Sequence, residues 1–265
     1  MVPVVEANGA RIPLIGLGTW DLRGRACVRT VEDALKLGYR HIDTAAMYGN
    51  EAEVGEGLCA SGIARNEVFI TTKVWSSNLR ARDFERSTRD SIAKLKLPSV
   101  DLLLIHWPNS SVPLKETVGA LCKMKSEGLA RHVGISNFTP DMIEDAVKFS
   151  TELLVNNQIE CHPYFDQSRT IAASRKRGLS VTAYSPIARG RIDRDALLAR
   201  IGKAHGKTAV QVCLRYLVQQ NLIVIPKTSR AERLKENAAI FDFELTAAEM
   251  KDIARLASPG GNIVS

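Results

Sequence analysis

Four side chains able to move a proton or hold a charge stand at or just beyond the ends of short apolar runs. Asp43 lies in "RHIDTA", Tyr48 follows five residues later, Lys73 ends "VFITTK" and His106 ends "DLLLIH". Each alone has an ordinary explanation: a strand-end Asp often forms a turn, a loop Tyr packs with a wet hydroxyl, and a lone His is usually structural. Together they make working chemistry. An unperturbed tyrosine titrates near ~10, so a neighbouring ammonium is expected to stabilise its phenolate and acidify it. Asp43 would keep Lys73 charged in a dry site, and a ring N–H of His106 would orient and polarise a carbonyl oxygen. This is equipment for protonating an oxygen. It includes no nucleophile of the usual kind and no metal-ligand spacing, so the species that attacks the carbon should come from a cofactor, most simply as hydride.

A second constellation is "VIPKTSRAERLKEN" at 224–237. Lys227, Arg230, Arg233 and Lys235 cluster beside Thr228 and Ser229, where a helix is expected to begin. Hydroxyls, backbone N–H groups and the helix dipole would make an anion site there. A capped and solvated basic helix is the alternative on spacing alone.

Both sets need a scaffold that brings distant segments to one place. Asn8-Gly9 between two short apolar stretches predicts a hairpin. Then β-rich runs appear at 14–19, 40–45, 68–74, 100–106, 130–136, 154–159, 180–184 and 222–226. Amphipathic stretches alternate with them at about 25–37, 50–61, 83–95, 114–127, 139–149, 168–177, 208–220 and 231–239, with Asn50 expected to cap the second. Two further helical patterns, 193–205 and 246–256, fall outside the alternation. Eight strand–helix units predict an α/β fold, a parallel (β/α)8 TIM barrel with an N-terminal β-hairpin and two extra helices, in one domain over 1–265. A doubly wound sheet is the runner-up, and the lone "GLG" at 16–18 is not the dinucleotide fingerprint it would need. In a barrel of this kind ligands gather at the C-terminal strand ends, which is where the four candidates fall.

Composition narrows the function classes. The net charge of +7 suggests anionic ligands, yet the basic residues are spread among acids. The charges of 79–97 recur at helical spacing, as on a solvated helix face, and no basic run is interleaved with aromatics, which argues against a nucleic-acid surface. The five cysteines show no CxxC, and four are expected to be small core residues. No signal peptide is visible and no apolar run approaches the roughly 20 residues of a membrane span, so a reducing cytoplasm is expected. No metal site is expected.

The segments "GYRHIDTAAMYGNE", "ITTKVW", "DLLLIHWP", "VGISNF", "NNQIECHPY", "AYSP" and "IPKTSRAERLKEN" resemble, in order, the signature segments of the aldo-keto reductases. The resemblance spans essentially the whole chain and implies the same barrel. It implies a catalytic tetrad of Asp43, Tyr48, Lys73 and His106, with Tyr48 the general acid. It further implies that Ser136, Asn137 and Gln158 hold the nicotinamide carboxamide and that Tyr184 stacks on the ring. Lys227, Thr228, Ser229 and Arg233 would grip an adenosine 2′-phosphate, with Glu236 and Asn237 near the adenine, which favours NADPH over NADH. The family usually has IPKS where this chain has IPKTS, which leaves open which hydroxyl meets the phosphate.

Trp20, Trp75 and Trp107 follow strand ends and resemble the family's apolar substrate walls. The short loops after His106 and Tyr184, and the short stretch after the last helix, resemble the small bacterial members of the 2,5-diketo-D-gluconate reductase type. Thinly lidded pockets of that kind imply broad specificity. The resulting expectation is NADPH-dependent reduction of small aldehydes, α-dicarbonyls or keto-sugars by a monomer. An NADPH-binding redox-sensing module without turnover is the alternative, and a sugar-phosphate isomerase would leave Tyr184 and 227–237 without a role.

Overall fold

The computed structural model describes residues 2–264, so Met1 and Ser265 lie outside it. Strands β1 (Val4–Ala7) and β2 (Ala10–Pro13) form the expected antiparallel hairpin, with Asn8 and Gly9 at positive φ of 46° and 87°. Asn8 Nδ2 donates to Leu154 O at 2.7 Å, at the first residue of a barrel strand, so the hairpin packs on the N-terminal end of the barrel.

Eight parallel strands then pair strictly with their neighbours in sequence: β3 (Leu17–Gly18), β4 (His41–Asp43), β5 (Phe69–Val74), β6 (Val100–Ile105), β7 (Ala130–Ser136), β8 (Leu154–Glu160), β9 (Ser180–Tyr184) and β10 (Ile223–Val224). Closure comes from the stretch before β3. Gly16 N donates to Val224 O at 2.9 Å, and Val224 N donates to Leu14 O at 2.9 Å. Gly18 N adds a third bond across the seam, to Pro226 O at 3.2 Å. Gly18 belongs to this seam: a Cβ there would lie 2.6 Å from Ile225 O. The "GLG" glycines therefore serve closure of a barrel, and the doubly wound alternative falls away.

Helices α1 (Gly24–Lys36), α2 (Glu51–Ser61), α3 (Ala81–Leu95), α4 (Leu114–Ser126), α5 (Pro140–Phe149), α6 (Ser168–Lys176), α8 (Ala209–Val218) and α9 (Ala231–Ala238) follow successive strands. The two extra helices are α7 (Ala196–His205), capped by Asp195, and α10 (Ala247–Ala254), opened by a Thr246–Glu249 capping box. The charges of α3 form surface pairs, Arg86 with Asp83 and Arg89 with Glu85 and Glu127, as its spacing predicts. Cys27, Cys122, Cys161 and Cys213 are buried, and Cys59 is exposed on α2. The apolar neighbours of Cys59 suggest a core position, but its helix turns it outward, while the strand-end Cys161 goes inside. Among the described residues no helix is long and apolar enough to cross a membrane and no group of side chains is arranged to hold a metal.

Candidate active site

Asp43 ends β4, Lys73 lies in β5 and His106 follows β6 directly, so three neighbouring strands deliver them to one end of the barrel. Tyr48 closes a single 3-10 turn, Ala46–Tyr48, between β4 and α2. Lys73 Nζ donates to Asp43 Oδ1 at 2.6 Å, to Thr44 O at 2.9 Å and to the Tyr48 hydroxyl at 3.3 Å. All three ammonium donors are thereby used. The other carboxylate oxygen of Asp43 accepts from Gln158 Nε2 at 2.7 Å. The Tyr48 and His106 rings meet edge-on at 5.7 Å, which places an imidazole beside the phenol.

The electrostatics differ from expectation in one respect. Burial would depress the Lys73 ammonium, but Asp43 and Tyr48 outweigh it and hold the group above its ordinary value. Burial also pushes the Tyr48 phenol up, and the pull of Lys73 only moderates the rise. The acidified tyrosine expected from the sequence is therefore corrected: the site keeps the phenol protonated, with an ammonium placed to receive the charge once the proton leaves. Burial and the Lys73 charge push His106 down to about 2, so its ring is neutral at physiological pH and can donate from only one nitrogen. Its Nδ1 is buried without a partner, so the ring retains unused hydrogen-bonding capacity.

The residues expected at a nicotinamide carboxamide lie together. Ser136 Oγ donates to Gln158 O at 2.8 Å, and Asn137 Nδ2 donates to His106 O at 3.0 Å and to Ser136 Oγ at 3.1 Å. Asn137 has φ 62°, a left-handed turn that Asn tolerates, and its Oδ1 accepts from the half-buried Tyr184 hydroxyl at 2.9 Å. Gln158 has committed its amide nitrogen to Asp43.

The residues expected at the adenosine end lie just before α9 and along it. Lys227 and Ser229 are exposed, the Thr228 hydroxyl accepts from Arg230 N at 3.1 Å, and no side chain caps the helix. Arg233 is paired with both Glu236 oxygens at 2.9 Å, so it is less free than its sequence position suggests. Asn237 is buried with its Oδ1 unpartnered, an acceptor suited to the amino group of a base. An uncapped helix start, an unpartnered buried acceptor and the exposed Lys227 fit an adenosine phosphate.

Two of the tryptophans, Trp20 and Trp75, pack against the tetrad. Trp20 is 46% exposed and meets Tyr48 edge-on at 5.1 Å, Trp75 meets His106 at 5.0 Å, and Trp107 is half-buried next to His106 in sequence.

The sequence profile of the aldo/keto reductase family matches residues 14–258. The chain belongs to that family. It is 40% identical over 259 residues to the methylglyoxal reductase DkgB of Escherichia coli O157:H7, covering 94% of this chain and 97% of the relative. A solved structure provisionally assigned as a 2,5-diketo-D-gluconic acid reductase B is 50% identical, with a TM-score of 0.98 over 100% of this chain and 95% of the other. An aldo-keto reductase of Bombyx mori solved in complex with NADP is 32% identical, with a TM-score of 0.93 over 100% and 95% of the two chains. This aldo/keto reductase is thus an oxidoreductase acting on carbonyl groups.

The reductase uses Asn50 in a way its sequence does not reveal. Asn50 precedes α2 as expected, but its side chain makes no cap. Instead it is fully buried: Nδ2 donates to Thr19 O at 2.8 Å and Leu22 O at 3.0 Å, and Oδ1 accepts from Thr44 Oγ1 at 2.9 Å. Arg23 also donates to the carbonyl oxygen of Tyr48. The loop bearing Trp20, the residue that accepts from Lys73 and the turn bearing Tyr48 are thereby tied together. Asn50→Ala takes one donor from each of these carbonyls and the acceptor from the buried Thr44 hydroxyl, and should cost about 1–3 kcal/mol in denaturant unfolding. Stability unchanged in that variant would contradict the role of Asn50 as a structural tie.

Proposed function

We propose that this reductase converts small aldehydes, α-dicarbonyls or keto-sugars to alcohols with NADPH, using Tyr48 as the general acid. The observation that carries the reading is the chain of contacts from Asp43 through Lys73 to the Tyr48 hydroxyl beside a neutral His106. Bound NADPH supplies the hydride. Ser136, Asn137 and Gln158 hold the carboxamide, and Tyr184 offers its ring as a platform. Lys227, Thr228, Ser229 and Arg233 hold the 2′-phosphate, with Glu236 and Asn237 at the adenine.

The substrate carbonyl oxygen sits between the Tyr48 hydroxyl and an imidazole N–H, which orient it and stabilise the charge that develops there. Tyr48 gives that oxygen its proton, and the resulting phenolate is stabilised by the Lys73 ammonium, itself held by Asp43. Trp20, Trp75 and Trp107 exclude water and accept small apolar groups. A binding module without turnover has no need of this proton-delivery set. The catalysis is assigned to one barrel domain over 1–265, working as a monomer in the cytoplasm.

Oxidation of NADPH and of NADH with methylglyoxal, measured side by side, tests the assignment. Turnover with NADPH is expected, and its absence with methylglyoxal, 4-nitrobenzaldehyde and a keto-sugar would overturn the reading. In Lys227→Ala the KM for NADPH should rise on the order of tenfold or more, the scale of a lost charge-assisted hydrogen bond. The KM for NADH should stay nearly unchanged. An equal rise for both cofactors would place Lys227 away from the 2′-phosphate.

A further inference from the structure

We propose that Glu51 is a positioning residue: its grip on Thr72 holds the turn bearing Tyr48 at a fixed distance from Lys73. The proposal deepens the reductase reading and rests on it. Glu51 is the first residue of α2, three residues after Tyr48. It is buried, and no part of the proton-delivery set uses it. An acid in a first helical turn can serve the helix dipole from the surface, which requires no burial. Burying a carboxylate is costly unless donors fill its lone pairs, so this one calls for a different reason.

The reason lies on the neighbouring strand. Thr72 Oγ1, on β5, donates to Glu51 Oε1 at 2.6 Å. Successive side chains of a strand point to opposite faces, so Thr72 turns toward the helices while Lys73, the next residue, turns toward the tetrad. Burial pushes the Glu51 carboxyl up, and the Thr72 and Ser91 hydroxyls with the Lys94 and Lys73 charges only moderate the rise. From Glu51 the chain runs back through Asn50 and Gly49 to Tyr48, whose hydroxyl meets Lys73 Nζ at 3.3 Å. Lys73 leads to Thr72, and Thr72 to Glu51, which closes a ring of covalent and hydrogen bonds around the proton donor. The Tyr48–Lys73 bond is the longest of the three that the ammonium makes, and so the one most easily lost to a small shift. Gly49, at φ 65°, is the joint at which the turn could swing. Asn50 ties this segment to Thr19, Leu22 and Thr44, on the side of β3 and β4. Glu51 adds the tie to β5, the strand that carries the ammonium.

The grip can be released from either side. Glu51→Ala removes the acceptor, and Thr72→Val removes the donor with almost no change in volume, so it carries the test if Glu51→Ala fails to fold. Each should lower kcat with methylglyoxal about ten- to hundredfold, the scale of a reacting group misplaced by about an ångström. KM for methylglyoxal and for NADPH should stay within about twofold, since neither binding surface is altered. The double variant should be no worse than the poorer single one, because both break the same bond. Glu51→Gln keeps an acceptor for Thr72 and should recover kcat to within about threefold of the unaltered chain. A carboxylate that serves only stability predicts easier unfolding with kcat intact, and that result in either single variant would overturn the proposal. Glu51→Gln as slow as Glu51→Ala would also overturn it, because the charge rather than the grip would then matter. The amides of Tyr48 and Gly49, which donate to Ala45 O and Ala46 O, should exchange hydrogen faster in Glu51→Ala and Thr72→Val. If the unaltered chain turns over no carbonyl, the reductase reading fails, and that exchange alone then decides whether Glu51 holds the turn.

Discussion

Tyr48→Phe is expected to remove carbonyl reduction while leaving NADPH bound. The substitution deletes one oxygen and keeps the ring, so the edge contacts with Trp20 at 5.1 Å and His106 at 5.7 Å survive. Lys73 loses an acceptor at 3.3 Å but retains Asp43 and Thr44, so its charge stays paired. The loss should therefore be chemical rather than structural. General acid catalysis accounts for about 10²–10⁴-fold in rate, and kcat/KM should fall by at least that much. Quenching of protein fluorescence by NADPH should give an affinity close to that of the unaltered chain. Turnover within about tenfold of normal would remove Tyr48 from the role of acid.

The pH profile gives a second reading of the same residue. Burial holds the phenol above its ordinary value, so the acid remains available at neutral pH and is lost only in the alkaline range. His106, pushed down to about 2, contributes no change near the ~6.5 of an ordinary imidazole. The alkaline limb should vanish in Tyr48→Phe.

Much of this site is legible in the sequence because its residues stand at the ends of apolar runs. A run of alternating or continuous apolar residues marks a strand, and the next polar residue is carried to the barrel rim whatever lies between the strands. Lys73 and His106 are found that way. Asn50 misleads because its position before a helix suggests a cap, whereas its bonds go to Thr19, Leu22 and Thr44. Arg233 reads as free for phosphate, yet Glu236, a residue placed at the adenine, holds it and also accepts from Thr208 Oγ1. The buried Glu160 carboxylate is hidden too, because two of its donors are the backbone N–H groups of Ile263 and Val264, which carry no residue type to recognise. The direction of the Tyr48 shift is hidden for a related reason. Proximity to Lys73 can be read from strand order, but the depth of burial that outweighs it emerges only from packing.

The largest stability effect should come from breaking the Asp43–Lys73 pair on one side. Both groups are almost wholly buried, and the carboxylate serves Lys73 with one oxygen and Gln158 with the other. The carboxamide introduced by Asp43→Asn would have one oxygen for two donors and no charge for the ammonium. Removing one partner of a buried pair costs about 3–5 kcal/mol, because the remaining charge is left uncompensated. Asp43→Asn should therefore unfold at markedly lower denaturant. Changing Lys73 to Met as well should recover most of that loss without restoring turnover.

The pH dependence fixes the sign independently. In the unaltered chain Lys73 sits above its unfolded value, so its stabilisation is full below about 10.4 and is lost as pH rises through the folded value. Without Asp43, burial dominates and the folded value drops below the unfolded one. The unfolded chain then binds more protons, and stability should rise with pH toward about 10 instead of falling beyond it. Denaturant curves across neutral to alkaline pH would read this reversal directly. Equal slopes in Asp43→Asn and the unaltered chain would mean that Lys73 keeps its charge without Asp43, and Asp43 would then have no part in stabilising the phenolate left by Tyr48.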